Sequence, residues 1–103
     1  MWEPAAGPSG PGTVVMELGA GIGALILYTP ADLDGAEIEI SLGTGTRRTH
    51  SRVRPRQVPA GTRYAAVYPG LPAGCYTIWR DERRPAGTVT VAGGQVASCR
   101  WPG

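Results

Sequence analysis

Apolar and polar positions along this chain alternate in short runs, each closed by Gly, Pro or Asp, and the period of the alternation is two. That period belongs to strands, whose successive side chains point to opposite faces. The clearest run is residues 36–42, where Ala36, Ile38, Ile40 and Leu42 alternate with Glu37, Glu39 and Ser41. Residues 13–18 place Val14, Met16 and Leu18 on one face, and residues 24–28 are continuously apolar, the pattern of a strand in the middle of a sheet. Residues 47–54 alternate Thr49, Ser51 and Val53 with His50, Arg52 and Arg54. Polar on both sides, that run predicts an edge strand protected by charge.

Residues 57–61 read as a loop, and 63–68, 75–80, 87–91 and 95–101 complete the series, the last three as a meander. No stretch of helical length carries a 3.6-residue period. The pattern predicts an all-β protein: one β-sandwich of about seven strands over residues 13–103. A flexible Pro/Gly-rich lead-in covers 1–12, with Trp2 as its one apolar anchor. The expected core is Met16, Leu18, Leu25, Leu27, Ile38, Ile40, Tyr68, Leu71, Tyr76, Ile78, Val89, Val91 and Trp101, with Tyr76 and Trp101 supplying much of its area.

Composition agrees with a globular domain: 42% hydrophobic and 17% charged is too apolar for a disordered chain. At 103 residues there is room for one core. All ten basic residues are Arg. The first 46 residues hold six acids and no base, whereas residues 47–103 hold every Arg against only Asp81 and Glu82. Folding must turn that split into a dipolar surface or neutralise the halves across a shared sheet. Cys75 is expected to point away from the core and Cys99 toward it, which leaves both as free thiols. The N-terminal residues lack the basic and apolar regions of a signal peptide, and no apolar run has membrane-spanning length. The expected address is the cytoplasm.

Residues 68–78, Tyr-Pro-Gly-Leu-Pro-Ala-Gly-Cys-Tyr-Thr-Ile, resemble the aromatic, Leu-Pro-x-Gly-x-Tyr-x-Leu signature of carboxypeptidase-regulatory-like and collagen-adhesin B-type domains. Residues 33–40, Leu-Asp-Gly-Ala-Glu-Ile-Glu-Ile, are similar to an early strand of the same domains. The resemblance implies a prealbumin-like, Ig-like sandwich, and usually a non-catalytic module. The isopeptide crosslink found in the adhesin-type domains needs a Lys, which this chain lacks. Small free-standing bacterial proteins of this look are sometimes labelled phospholipase.

The residues offer little chemistry to match that label. There is no Gly-x-Ser-x-Gly elbow, and the lone His50 is followed by Ser51 with no Asp beside it. Glu17-Leu-Gly-Ala-Gly-Ile-Gly23 imitates the glycine loop of class I methyltransferases, but that loop must open a helix, and here a strand pattern follows it. Asp32-Leu-Asp34-Gly35 begins like a calcium loop, yet Ala36 and Gly43 stand where further ligands belong, so a turn is expected. No catalytic residue, metal site or cofactor is predicted. What remains is the Arg row: Arg48, His50, Arg52 and Arg54 are expected on one face of one strand, with Trp79 exposed nearby. Arg forks suit phosphate and carboxylate. The expected function is a non-enzymatic interaction or structural module with a protein partner. Anionic-ligand or nucleic-acid binding through residues 47–54 is the alternative, and a small hydrolase the third.

Overall fold

A computed structural model describes residues 19–43, 45 and 47–102. The strand expected at 13–18, with Met16 and Leu18, and the lead-in at 1–12 lie outside the described residues. Eight strands follow in order: β1 (Ile22–Thr29), β2 (Glu37–Leu42), β3 (Arg48–Arg52), β4 (Arg54–Val58), β5 (Gly61–Pro72), β6 (Gly74–Trp79), β7 (Pro85–Val91) and β8 (Val96–Arg100). They form two four-stranded sheets, β4-β5-β1-β8 and β3-β2-β6-β7. The protein is an all-β sandwich. Pairing is antiparallel except between β1 and β8, which run parallel.

The core lies between the sheets, where the inward-facing alternate residues meet. Leu25, Leu27, Ile38, Ile40, Tyr68, Leu71, Tyr76, Ile78 and Val91 are buried in it, and Val89 and Trp101 pack against it partly covered. Each full burial of a Leu or Ile side chain contributes about 1.5–3 kcal/mol before conformational entropy is set against it. Tyr68 ties the layers together: it stands on β5 of the first sheet and donates its hydroxyl to the Ile38 carbonyl of β2 in the second, at 2.8 Å. Burial, and then the nearby Cys99, push the Tyr68 phenol above its ordinary range.

Four expectations need correction. The run 47–54 is not one strand. Arg48–Arg52 is β3 at the edge of the second sheet, whereas Arg54–Val58 is β4 at the edge of the first. Val53 is the crossing point, fully buried in the core, with its backbone bonded to Gly35 and Ala36. An apolar side chain in a polar run pulls the chain through the layer boundary, and the strands on either side join opposite sheets. Residues 57–61 are therefore not a loop, because Val58 pairs with Gly61 across a two-residue Pro59–Ala60 turn.

The meander also ends early. β6 and β7 pair, but β8 leaves them and lies beside β1. The turn that carries it there uses Gly94 in the left-handed region (φ 75°), with its N–H donated to the Ile22 carbonyl at 2.7 Å. Finally, the alternation of β2 lapses at its end: Ser41 is buried and Leu42 exposed. Trp79 causes the first half of this, covering Ser41 and donating its indole N–H to the Ser41 hydroxyl at 2.9 Å.

Among the described residues no helix is long and apolar enough to cross a membrane.

Candidate functional site: two faces of opposite electrostatic character

On β3 the register with β2 decides what the Arg row does. Glu37 lies opposite Arg52 and Glu39 opposite His50, all on the outer side of the second sheet. Directly opposed unlike charges stabilise a strand pair by a few tenths of a kcal/mol and fix its register. Arg52 donates to Glu37 Oε2 at 2.8 Å and to the Gly35 carbonyl at 3.0 Å. Arg48 is more fully engaged. Its guanidinium stacks 3.9 Å from the centroid of the Trp79 ring. It also donates to Glu39 Oε1 at 2.9 Å and to the backbone carbonyls of Asp81 and Glu82. Trp79 is thus half-buried beneath Arg48 rather than free. His50 is exposed, with Nε2 4.0 Å from Glu37 Oε1.

The structure brings Arg48, His50, Arg52 and Trp79 to one face and sends Arg54 to the other sheet. Their charges are largely answered by Glu37 and Glu39 within that face. Ser51 does not meet His50: it faces inward and donates its hydroxyl to the Val67 carbonyl at 2.8 Å. Beside this face Asp81 caps its own turn, accepting from the Arg83 and Arg84 N–H groups. The Arg83 N–H, then the Arg84 side chain, hold its carboxyl down at about 2. The Asp32–Gly35 segment is the expected turn: a short 3-10 helix over Ala31–Leu33, closed by Gly35 at φ 86°. After Gly23 the chain is strand β1, as the glycine-loop context requires for a non-nucleotide reading.

The first sheet presents a different surface. Leu25 and Leu27 of β1, Ala66 and Tyr68 of β5, and Cys99 of β8 face the core. The alternate positions therefore point outward: Ala24, Ile26 and Tyr28 on β1; Arg63, Ala65 and Val67 on β5; Ser98 and Arg100 on β8. β4 follows its pairing, with Arg54 opposite Ala65 and Arg56 opposite Arg63. Four arginines consequently share this face, and among the described residues the four strands of the sheet contain no acid. Arg54, Arg63 and Arg100 are exposed. Arg56 is half-buried, and its Nε is buried without a hydrogen-bond partner among the described residues. Arg63 stacks 3.9 Å from the Tyr28 ring centroid. Ala24, Ile26 and Ala65 form the buried floor beside them.

Sequence reading did not find this face. The signal was present in the alternation of Arg54 and Arg56 before Pro59–Ala60 and of Arg63, Ala65 and Val67 after it, which is the pattern of a hairpin with one basic side. Tyr28 and Arg100 could not have been joined to it, because the parallel β1–β8 pairing is a tertiary fact.

Cys75 is exposed on the outer side of β6, Cys99 is half-buried in the other sheet, and both are free. Burial pushes the Cys99 thiol up. No group of three or more His, Cys, Asp or Glu that could hold a metal ion occurs among the described residues. No protein-family model, curated protein or solved structure matches the chain.

Proposed function

We propose that this chain is a non-enzymatic interaction module of the prealbumin-like type, and that it engages an anionic partner through the outer face of the β4-β5-β1-β8 sheet. One observation carries the reading: among the described residues Arg54, Arg56, Arg63 and Arg100 share a face without an acid, while Arg48 and Arg52 of the opposite sheet are neutralised by Glu39 and Glu37. The +2 net charge is therefore not spread evenly. It favours approach of negative charge from one side. Surface ion pairs such as Arg52–Glu37 contribute at most about 1 kcal/mol, so the role of the β3 row is neutralisation and edge protection.

The hydrolase alternative loses support from the placement of its two side chains. Ser51 is turned inward onto Val67 and His50 outward, and a base must reach its nucleophile.

The test is a comparative capture. Tagged wild-type chain and an Arg54→Ala/Arg63→Ala/Arg100→Ala variant are incubated with native lysate and the bound material identified. A partner held by the wild type and lost from the variant supports the reading. Identical recovery by both overturns it.

A further inference from the structure

We propose that the partner of this face is single-stranded nucleic acid, an inference that rests on the interaction-module reading and names its ligand class.

The first argument is the layout of the charges. Arg54 lies opposite Ala65, Ala65 opposite Tyr28, and Tyr28 opposite Arg100. This row crosses all four strands, so its terminal arginines stand three inter-strand spacings apart, about 14 Å at the backbone. Arg56 and Arg63 form a second row two residues along, about 7 Å away. A peptide that recognises a sheet by strand addition runs along one edge and meets one strand's side chains. These four arginines are met in turn only by a chain that crosses the strands. A polymer with a charge on every repeat unit does that without needing a matched sequence.

The second argument is that the arrangement opposes stability. Arg56 and Arg63 are direct cross-strand neighbours of like charge, which destabilises a strand pair. On the other sheet the same kind of position carries Glu37 against Arg52. The contrast between two faces of one domain points to a ligand that supplies the missing negative charge. Local conflicts of this sort concentrate where proteins act.

The third argument is the planar group in the middle of the face. The Arg63 guanidinium lies over the Tyr28 ring and is itself exposed. Unpaired bases stack on aromatic rings and on Arg guanidinium planes, whereas an acidic peptide brings no planar base. Beside the stack is a hollow of about 230 Å³, lined by Tyr28, Thr29, Pro30, Arg63, Arg100 and Trp101. That is smaller than the roughly 300–1,000 Å³ of a typical small-molecule pocket, and it suits one flat group at the surface. Among the described residues no helix or projecting ribbon stands on this side with which to enter a duplex groove.

The experiment is fluorescence anisotropy of the purified chain with fluorescein-labelled 12-nucleotide oligo-dT and oligo-U between 50 and 200 mM salt, with a 12-residue polyglutamate peptide as the competing polyanion. Four phosphate contacts give a slope of log affinity against log salt near −3. Arg56→Ala/Arg63→Ala and Arg54→Ala/Arg100→Ala should each lower oligonucleotide affinity at least tenfold and flatten the slope by about 1–2. Arg63→Lys keeps the charge and removes the plane, and should weaken binding several-fold at unchanged slope. Arg48→Ala/Arg52→Ala, on the other sheet, should change neither. Thermal melts separate these effects from misfolding, and loss of the like-charge pair is not expected to destabilise. Oligonucleotide binding that ignores the four arginines overturns the proposal. Polyglutamate that binds this face as tightly overturns it too, but leaves the anionic-partner module standing. Binding of neither probe removes both.

Discussion

Replacing Val53 tests the most consequential feature of the fold, because this one buried side chain is where the chain passes between sheets. Val53 has no exposed surface, and the residues around it, Arg52 and Arg54, are exposed. Val53→Ala removes two methyl groups from the core. At about 0.8 kcal/mol per buried carbon the transfer loss is roughly 1.6 kcal/mol, and incomplete collapse of the space adds to it. The expected destabilisation is about 1.5–2.5 kcal/mol. With a urea m-value of about 1–2 kcal/mol/M for a chain of this size, the midpoint should fall by about 1–2 M. Val53→Thr preserves the shape and inserts a hydroxyl, so it should cost a comparable amount through an unpaired polar group. By contrast Arg54→Ala should stay within about 0.5 kcal/mol, as exposed substitutions usually do. Urea unfolding followed by tryptophan fluorescence measures all three. If Val53→Ala and Arg54→Ala shifted the midpoint equally, the run 47–54 would be a single surface strand after all and the crossing would be wrong.

Tyr68→Phe removes the buried inter-sheet hydrogen bond to the Ile38 carbonyl, for an expected loss of about 0.5–1.5 kcal/mol by chemical denaturation. Because its phenol is raised in the folded state, the unfolded chain releases that proton first. Stability should therefore fall as pH rises past about 10, and the fall should be smaller in Tyr68→Phe, where only the raised Tyr76 and Cys99 groups still contribute to it. The Asp81 carboxyl, depressed in the folded state, should titrate near 2 by carbon-detected NMR, and a midpoint near 4 would refute its capping role. Its stabilising contribution is complete above the ordinary Asp value and is lost as pH falls through about 2. A thiol reagent at neutral pH should label Cys75 promptly and Cys99 only with urea-induced unfolding, since Cys99 is half-buried with its thiol raised. Equal rates at both would contradict the assignment of Cys99 to the inner side of β8.

Much of the fold was legible because burial imposes a local period. Ile38 and Ile40 alternate with Glu37 and Glu39 because one side of β2 meets the core and the other meets water, and any reader of the sequence can recover that. The continuous run in β1 was equally plain, its alternate residues being buried on both sides of the sheet. The halves' charge split also foretold part of the outcome, namely the neutralisation of Arg52 and Arg48 by Glu37 and Glu39.

What the sequence alone determined, then, was a set of strands and the inward side of each, since side-chain alternation and turn residues act over a few neighbouring positions. Which sheet each strand joins was decided only by the tertiary structure. Val53 looks like a break in a polar strand until the layers exist for it to cross. Gly94 looks like any turn glycine until β8 lies parallel to β1. The basic face follows from those two decisions together: Arg54 and Arg100 are 46 positions apart in the chain and become members of one row only when β4, β5, β1 and β8 are laid side by side. Local periodicity fixes which way a side chain points, whereas long-range pairing fixes what it points beside.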